Sequence, residues 1–126
     1  ANGLAMEQAD IDHTGPSVAD LRERFKYAIS PAHRTLIFVQ NQWALGRVFQ
    51  ALEPSRHLIP DRIGILGINC AEWTDLTTPS ISTVIEPVRQ EGRMACQMLI
   101  GLLENEDTKP RQEILACHTR WLGSTK

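Results

Sequence analysis

The chain has 126 residues, with 42% hydrophobic and 22% charged residues, the size and balance of one ordinary soluble domain. Its net charge of −2 lacks the basic excess that nucleic-acid binding demands, and no apolar run is long enough for a membrane-spanning helix. Three cysteines, Cys70, Cys96 and Cys117, without CxxC spacing, argue against a disulfide framework or a zinc site, so reduced, buried thiols in a cytoplasmic protein are expected.

The first ten residues, ANGLAMEQAD, have neither the basic nor the apolar region of a signal peptide. The absence of an initial Met is what a fragment, a processed chain or a trimmed chain would show. Residues 1–14 read as irregular, with room for one short strand. Ser17 and Asp20 have capping-box spacing ahead of a helix over residues 18–29, whose stripe is Leu21, Phe25, Ala28 and Ile29. RTLIFVQ, residues 34–40, is a continuous apolar run that suits a strand buried on both faces of a parallel sheet.

Asn41 ends that strand, and the next helix turns Ala44, Leu45, Val48, Phe49 and Leu52 inward until Pro54 stops it. A connector leads to a second buried strand, IGILGI, over residues 63–68. A short strand, STVIE, precedes a helix over residues 86–104, with Pro87 in its first turn and an apolar side marked by Val88, Met94, Ala95, Met98, Leu99 and Leu102. QEILACHTRWLG reads as a final strand. The alternation of strands and helices predicts an α/β fold with a parallel, Rossmann-like sheet and right-handed crossovers.

Ligands of open parallel sheets bind beyond the carboxyl ends of the strands. Two such ends carry amides next to a tryptophan: Asn41 and Gln42 with Trp43, and Asn69 and Cys70 with Trp73 beyond Glu72. Amides donate and accept, and an indole offers an apolar face, a combination suited to a neutral, hydroxyl-rich ligand. The same residues serve equally well as a helix cap and as packing on the sheet edge. The four histidines, His13, His33, His57 and His118, are scattered, with no metal-binding spacing. No Walker loop, GxSxG or dinucleotide fingerprint is present. Glu72 and Asp75 form an acidic loop that reads as solvated. The residues therefore predict no catalytic constellation, no cofactor and no metal.

Taken in order, these pieces resemble the C-terminal part of LacI/GalR-family transcriptional regulators across most of residues 35–126. The carrying residues are Asn41, Gln42, Ala44, Leu45 and Gly46; Ile59, Pro60, Asp61, Arg62 and Ile63; and Gly67, Ile68, Asn69 and Cys70. They continue through Pro79, Ile81, Ser82, Thr83, Val84, Pro87, Gly92, Ala95 and Leu99 to a closing Leu122, Gly123, Ser124 and Thr125, with Leu where the family usually has Arg. The resemblance implies an incomplete lobe of a periplasmic-binding-protein-like effector domain that senses a small, carbohydrate-like ligand. Residues 1–81 and 112–126 would form the C-terminal lobe, and residues 82–111 a crossover and a helix of the N-terminal lobe. A DNA-binding helix-turn-helix, the rest of the first lobe and a ligand-gripping Arg would lie upstream.

The resemblance further implies a cytoplasmic, bacterial, non-catalytic regulator that dimerises and touches DNA only through that upstream headpiece. Asn41 and Asn69 match ligand-contact positions, and Trp43 and Trp73 are the flanking aromatic candidates. At Asn69 an amide replaces the family's usual Asp, exchanging a charge-assisted bond for a neutral one. Residues 10–14 lack the aromatic that the family often stacks on its ligand. Leu45, Phe49, Cys70, Trp73 and Leu76 are the dimer-interface candidates. The alternative is a periplasmic sugar- or solute-binding protein of an uptake system, which shares the fold. A truncated partner that pairs with and inactivates a full-length relative is a further reading.

Overall fold

The computed structural model describes residues 17–30, 32–68, 72–104 and 111–126. Residues 1–16, where one short strand was expected, lie outside that set, as do Asn69 and Cys70.

Helix α1 (Val18–Ala28) starts at Ser17 through a complete capping box: the Asp20 N–H donates to the Ser17 hydroxyl oxygen, and the Asp20 carboxylate accepts from the Ser17 N–H. Strand β1 (Thr35–Val39) leads into α2 (Gln42–Ala51). A 3-10 helix (Glu53–Leu58), with Pro54 in its first turn, replaces part of the expected connector. Strand β2 (Ile63–Ile68) follows, then a short 3-10 turn (Glu72–Asp75), β3 (Ser82–Ile85), α3 (Val88–Leu103) and β4 (His118–Arg120). The final strand is thus only three residues long, not the run expected from residue 112 onward.

The sheet order is β1-β2-β3-β4. The first three strands are parallel, with Ile37 beside Ile65 and Leu66 beside Ser82, and β4 is an antiparallel edge beside β3. The α/β architecture with a mainly parallel sheet is the one expected. One face of that sheet carries the core. Leu45, Val48, Phe49 and Leu52 from α2 meet Val39, Ile63, Ile65, Ile59 and Ile81, and Leu21, Phe25 and Ile29 of α1 pack against them.

The other face corrects the expectation for β1. Leu36 is 63% exposed and Phe38 is also exposed, so the strand alternates instead of burying both faces. Side chains in a strand point alternately to the two faces, and α1 and α2 cover only one.

Helix α3 buries no residue. Met94 and Met98 are half-buried, whereas Val88, Leu99 and Leu102 of its predicted apolar side are exposed, as are Ile100 and Leu103. The thiol expectation is corrected for the same reason. Cys96 lies on α3 and Cys117 precedes β4, and both are exposed because nothing among the described residues packs over them. Among the described residues, no helix is long and apolar enough to cross a membrane.

The C-terminal residues are built into the sheet. Ser124 enters between β2 and the approach to β3. It donates from its backbone N–H to the Ser80 carbonyl (2.8 Å), and its carbonyl accepts from the Ile65 N–H (3.2 Å). Its hydroxyl donates to the Ile65 carbonyl (2.7 Å) and accepts from the Ser82 N–H (2.8 Å). The Ser82 hydroxyl meets the Thr125 hydroxyl at 2.6 Å and accepts from the Leu122 N–H at 2.7 Å. Gly123 passes so close to Pro79 that an added Cβ would lie 3.2 Å from the proline Cβ.

Candidate functional site

The parallel strands β1, β2 and β3 point their carboxyl ends to one edge of the sheet. Immediately beyond β1 come Gln40, Asn41, Gln42 and Trp43; Ile68 closes β2; Glu86 follows β3. These six residues line one cleft of about 560 Å³. Its position is where open α/β sheets bind small ligands.

Asn41 is extended (φ −135°, ψ 129°) and caps α2. Its side-chain carbonyl oxygen accepts from the Trp43 N–H at 2.8 Å and the Ala44 N–H at 3.2 Å. The capping role and the cleft position therefore coincide in one residue. The cap engages only the oxygen, and the amide nitrogen adds two donors. Capping sets the direction of the first turn and leaves the Trp43 side chain 77% exposed on the cleft. Glu86 adds a carboxylate acceptor and Ile68 an apolar wall. The combination of amides, one acid and an indole face suits hydroxyl-bearing ligands. Among the described lining residues there is no nucleophile–base pair, and among all described residues no cluster of three or more His, Cys, Asp or Glu that would hold a metal.

The structure brings together Asn41 and Trp43 but not Trp73. The Trp73 ring packs at a tilt of 54° against Phe49, with centroids 6.5 Å apart, and belongs to the edge of the core. The turn Glu72–Asp75 folds the indole onto α2, and Trp73 stays half-buried. Leu45 and Phe49 are corrected as dimer-interface candidates. Leu45 has 0% exposure and Phe49 is buried, because both face the sheet and are used in the chain's own core. Leu76 is 84% exposed and remains a surface residue. Asn69 and Cys70 lie outside the described residues.

Sequence reasoning missed Gln40, Ile68 and Glu86 in the cleft. The strand-end rule applied to β3 points to Glu86, yet that residue reads as the start of a helix because Pro87 follows it. The acidic turn is also more than solvated charge. Both Asp75 carboxylate oxygens accept from one terminal nitrogen of Arg120, at 2.6 and 2.7 Å, tying the turn to β4. That bond, and the attraction behind it, raise the basicity of the Arg120 guanidinium.

The sequence matches the family described as the periplasmic binding protein-like domain over residues 1–125. Among curated relatives, the HTH-type transcriptional regulator KdgR of Bacillus subtilis (strain 168) is 27% identical over 111 residues, covering 87% of this chain and 32% of that protein. The HTH-type transcriptional regulator GntR of Pseudomonas aeruginosa is 27% identical over 82 residues, 65% of this chain and 24% of that protein. The chain thus spans about a third or less of the length of these relatives.

Among solved structures, a complex of the transcriptional regulator CelR with cellobiose superposes with a TM-score of 0.69 at 20% identity, covering 85% of this chain and 32% of that one. A LacI family transcriptional regulator from Enterococcus faecium with bound ribose gives 0.65 at 16% identity, covering 86% and 40%. At such identities the likeness establishes the fold.

Proposed function

This chain belongs to the periplasmic binding protein-like domain family, and we propose that it is the effector-binding, C-terminal portion of a LacI/GalR-type bacterial transcriptional regulator. The observation that carries the proposal is the convergence of three parallel strand ends on one cleft lined by Asn41, Trp43, Ile68 and Glu86. Regulators among the curated relatives, and regulators with cellobiose or ribose bound among the structural ones, support a sugar-like effector. They favour the regulator over a periplasmic uptake receptor.

The proposed activity is binding coupled to operator affinity, not catalysis. A small ligand bridging the cleft to a second lobe would bias the lobes between two arrangements, and operator affinity would follow. In this reading residues 1–81 and 112–126 form the C-terminal lobe, and residues 82–111 cross to the other. The exposed apolar side chains of α3, Val88, Leu99, Ile100, Leu102 and Leu103, support that crossing. DNA is held through an upstream helix-turn-helix, the protein works in the bacterial cytoplasm, and the exposed Leu76, with Trp73 and Cys70 nearby in sequence, contributes to a dimer contact.

The test is Asn41→Asp in the complete polypeptide. Aspartate keeps an oxygen to cap α2 but removes the two N–H donors. The expected result is a weakening of the effector response by about tenfold, the loss of one buried bond at about 1–3 kcal/mol, with an unchanged melting temperature. An unchanged effector titration overturns the site assignment. A complete polypeptide that binds no operator DNA overturns the regulator reading.

A further inference from the structure

A smaller groove, of about 310 Å³, lies where α1 meets the end of α2 and the 3-10 helix Glu53–Leu58. Val18, Arg22, Gln50, Glu53 and Arg56 line it. Two guanidinium groups thus share one carboxylate, in a chain whose net charge is −2. The acids of α1 do not add to that carboxylate. Asp20 accepts from the Ser17 N–H and hydroxyl, Glu23 pairs with Lys26, and neither is among the described lining residues.

Both arginines are loosely engaged. Arg22 pairs with Glu53 at 2.8 Å and reaches the Gln50 carbonyl only at 3.5 Å. The side chains of that pair are 43% and 67% exposed, and exposed ion pairs contribute little. Arg56 lays its guanidinium carbon 4.2 Å from the centre of the Phe49 ring and reaches the Phe49 carbonyl at 3.5 Å, beyond the ordinary hydrogen-bond range. Its Nε is buried and has no hydrogen-bond partner, which is uncommon in a folded protein. Among the described residues no carboxylate pairs with Arg56. A guanidinium offers five N–H donors in a planar fork, so Arg56 has donor capacity that the described chain does not use.

We infer that this groove is a second binding site, for a small oxyanion of the phosphate-monoester type, held by Arg22 and Arg56 and displacing Glu53 from Arg22. A phosphate monoester carries about −1.5 to −2 charge near neutral pH and three acceptor oxygens. It can engage both guanidinium forks in charge-assisted bonds, whereas the Glu53 carboxylate engages one. A groove of this size admits only a small molecule. The site stands apart from the strand-end cleft, and its assignment does not depend on the sugar-sensing reading.

The experiment is calorimetric titration of the complete polypeptide with inorganic phosphate, and separately with acetate, at matched ionic strength. Phosphate is expected to bind saturably, and acetate at least about tenfold more weakly. Arg22→Gln and Arg56→Gln should each weaken phosphate binding by about tenfold or more. Arg22 is exposed, so its variant keeps the test readable where Arg56→Gln disturbs the packing on Phe49. Glu53→Gln should tighten phosphate binding by about threefold, because it removes the competing acceptor and its like charge. Arg24→Gln, on the same helix but outside the described lining, should leave the affinity within about twofold.

Phosphate that does not saturate, or acetate that binds as tightly, overturns the inference. A loss in Arg24→Gln equal to that in Arg22→Gln also overturns it, because binding would then follow general surface charge. Unchanged phosphate affinity in both Arg22→Gln and Glu53→Gln removes the assignment to this groove.

Discussion

Ser124 engages its N–H, its carbonyl and both the donor and acceptor sides of its hydroxyl, and it is fully buried. Removing the hydroxyl leaves the Ser82 N–H without that acceptor and the Ile65 carbonyl without that donor. Ser124→Ala is therefore expected to destabilise the domain by about 1–3 kcal/mol, read as a shift in the denaturation midpoint at unchanged slope. Asp20 offers a milder effect with a defined sign. The Ser17 hydroxyl, and then the Ser17 N–H, hold its carboxyl below the usual aspartate range. A depressed folded value means that the cap's contribution is complete above the ordinary aspartate pKa of about 4 and is lost as pH falls through the folded value. An NMR titration of Asp20 should show the low value, and Ser17→Ala should return it toward about 4. The capping pair is legible in sequence because its partners are three residues apart. The Ser124 network is not, because its partners lie 42 and 59 residues away.

Among elements, α2 carries the core and α3 carries almost nothing. Leu45 sits at the centre of α2 with no exposure, so Leu45→Ala should cost about 2–5 kcal/mol, the range for a leucine removed from a packed interior. Leu99 on α3 is exposed. In the 126-residue chain, Leu99→Ala should change stability by no more than about 0.5 kcal/mol. In the complete polypeptide the same change should cost about 2 kcal/mol or more if α3 packs into a second lobe. Equal small effects in both, measured by denaturant unfolding, would place α3 outside any packed lobe. Both helices show apolar stripes in the sequence, and periodicity reads them alike. It reports that a face is apolar, not whether anything covers it.

At the scale of the whole molecule, the described residues include two exposed apolar surfaces: the exposed side chains of α3 and the sheet face bearing Leu36 and Phe38. Apolar patches of this kind tend to find a partner. The 126-residue chain by itself is expected to self-associate at high concentration, which sedimentation velocity would detect. A strictly monomeric species there would count against the view that these faces are meant to be covered.

At this scale the division between sequence and structure is clear. Local rules in the chain were enough for the α/β alternation, the capping of α1, the inward face of α2 and the presence of Asn41 and Trp43 at a strand end, because each depends on residues a few positions apart. The tertiary structure alone decided that β1 is covered on one side only, that Trp73, Leu45 and Phe49 belong to the core, that Glu86 joins Asn41 in one cleft, and that Ser124 is clasped between β2 and the approach to β3. Each of those outcomes depends on which distant segments share a face, and one face of an amphipathic element carries no mark of what will lie against it.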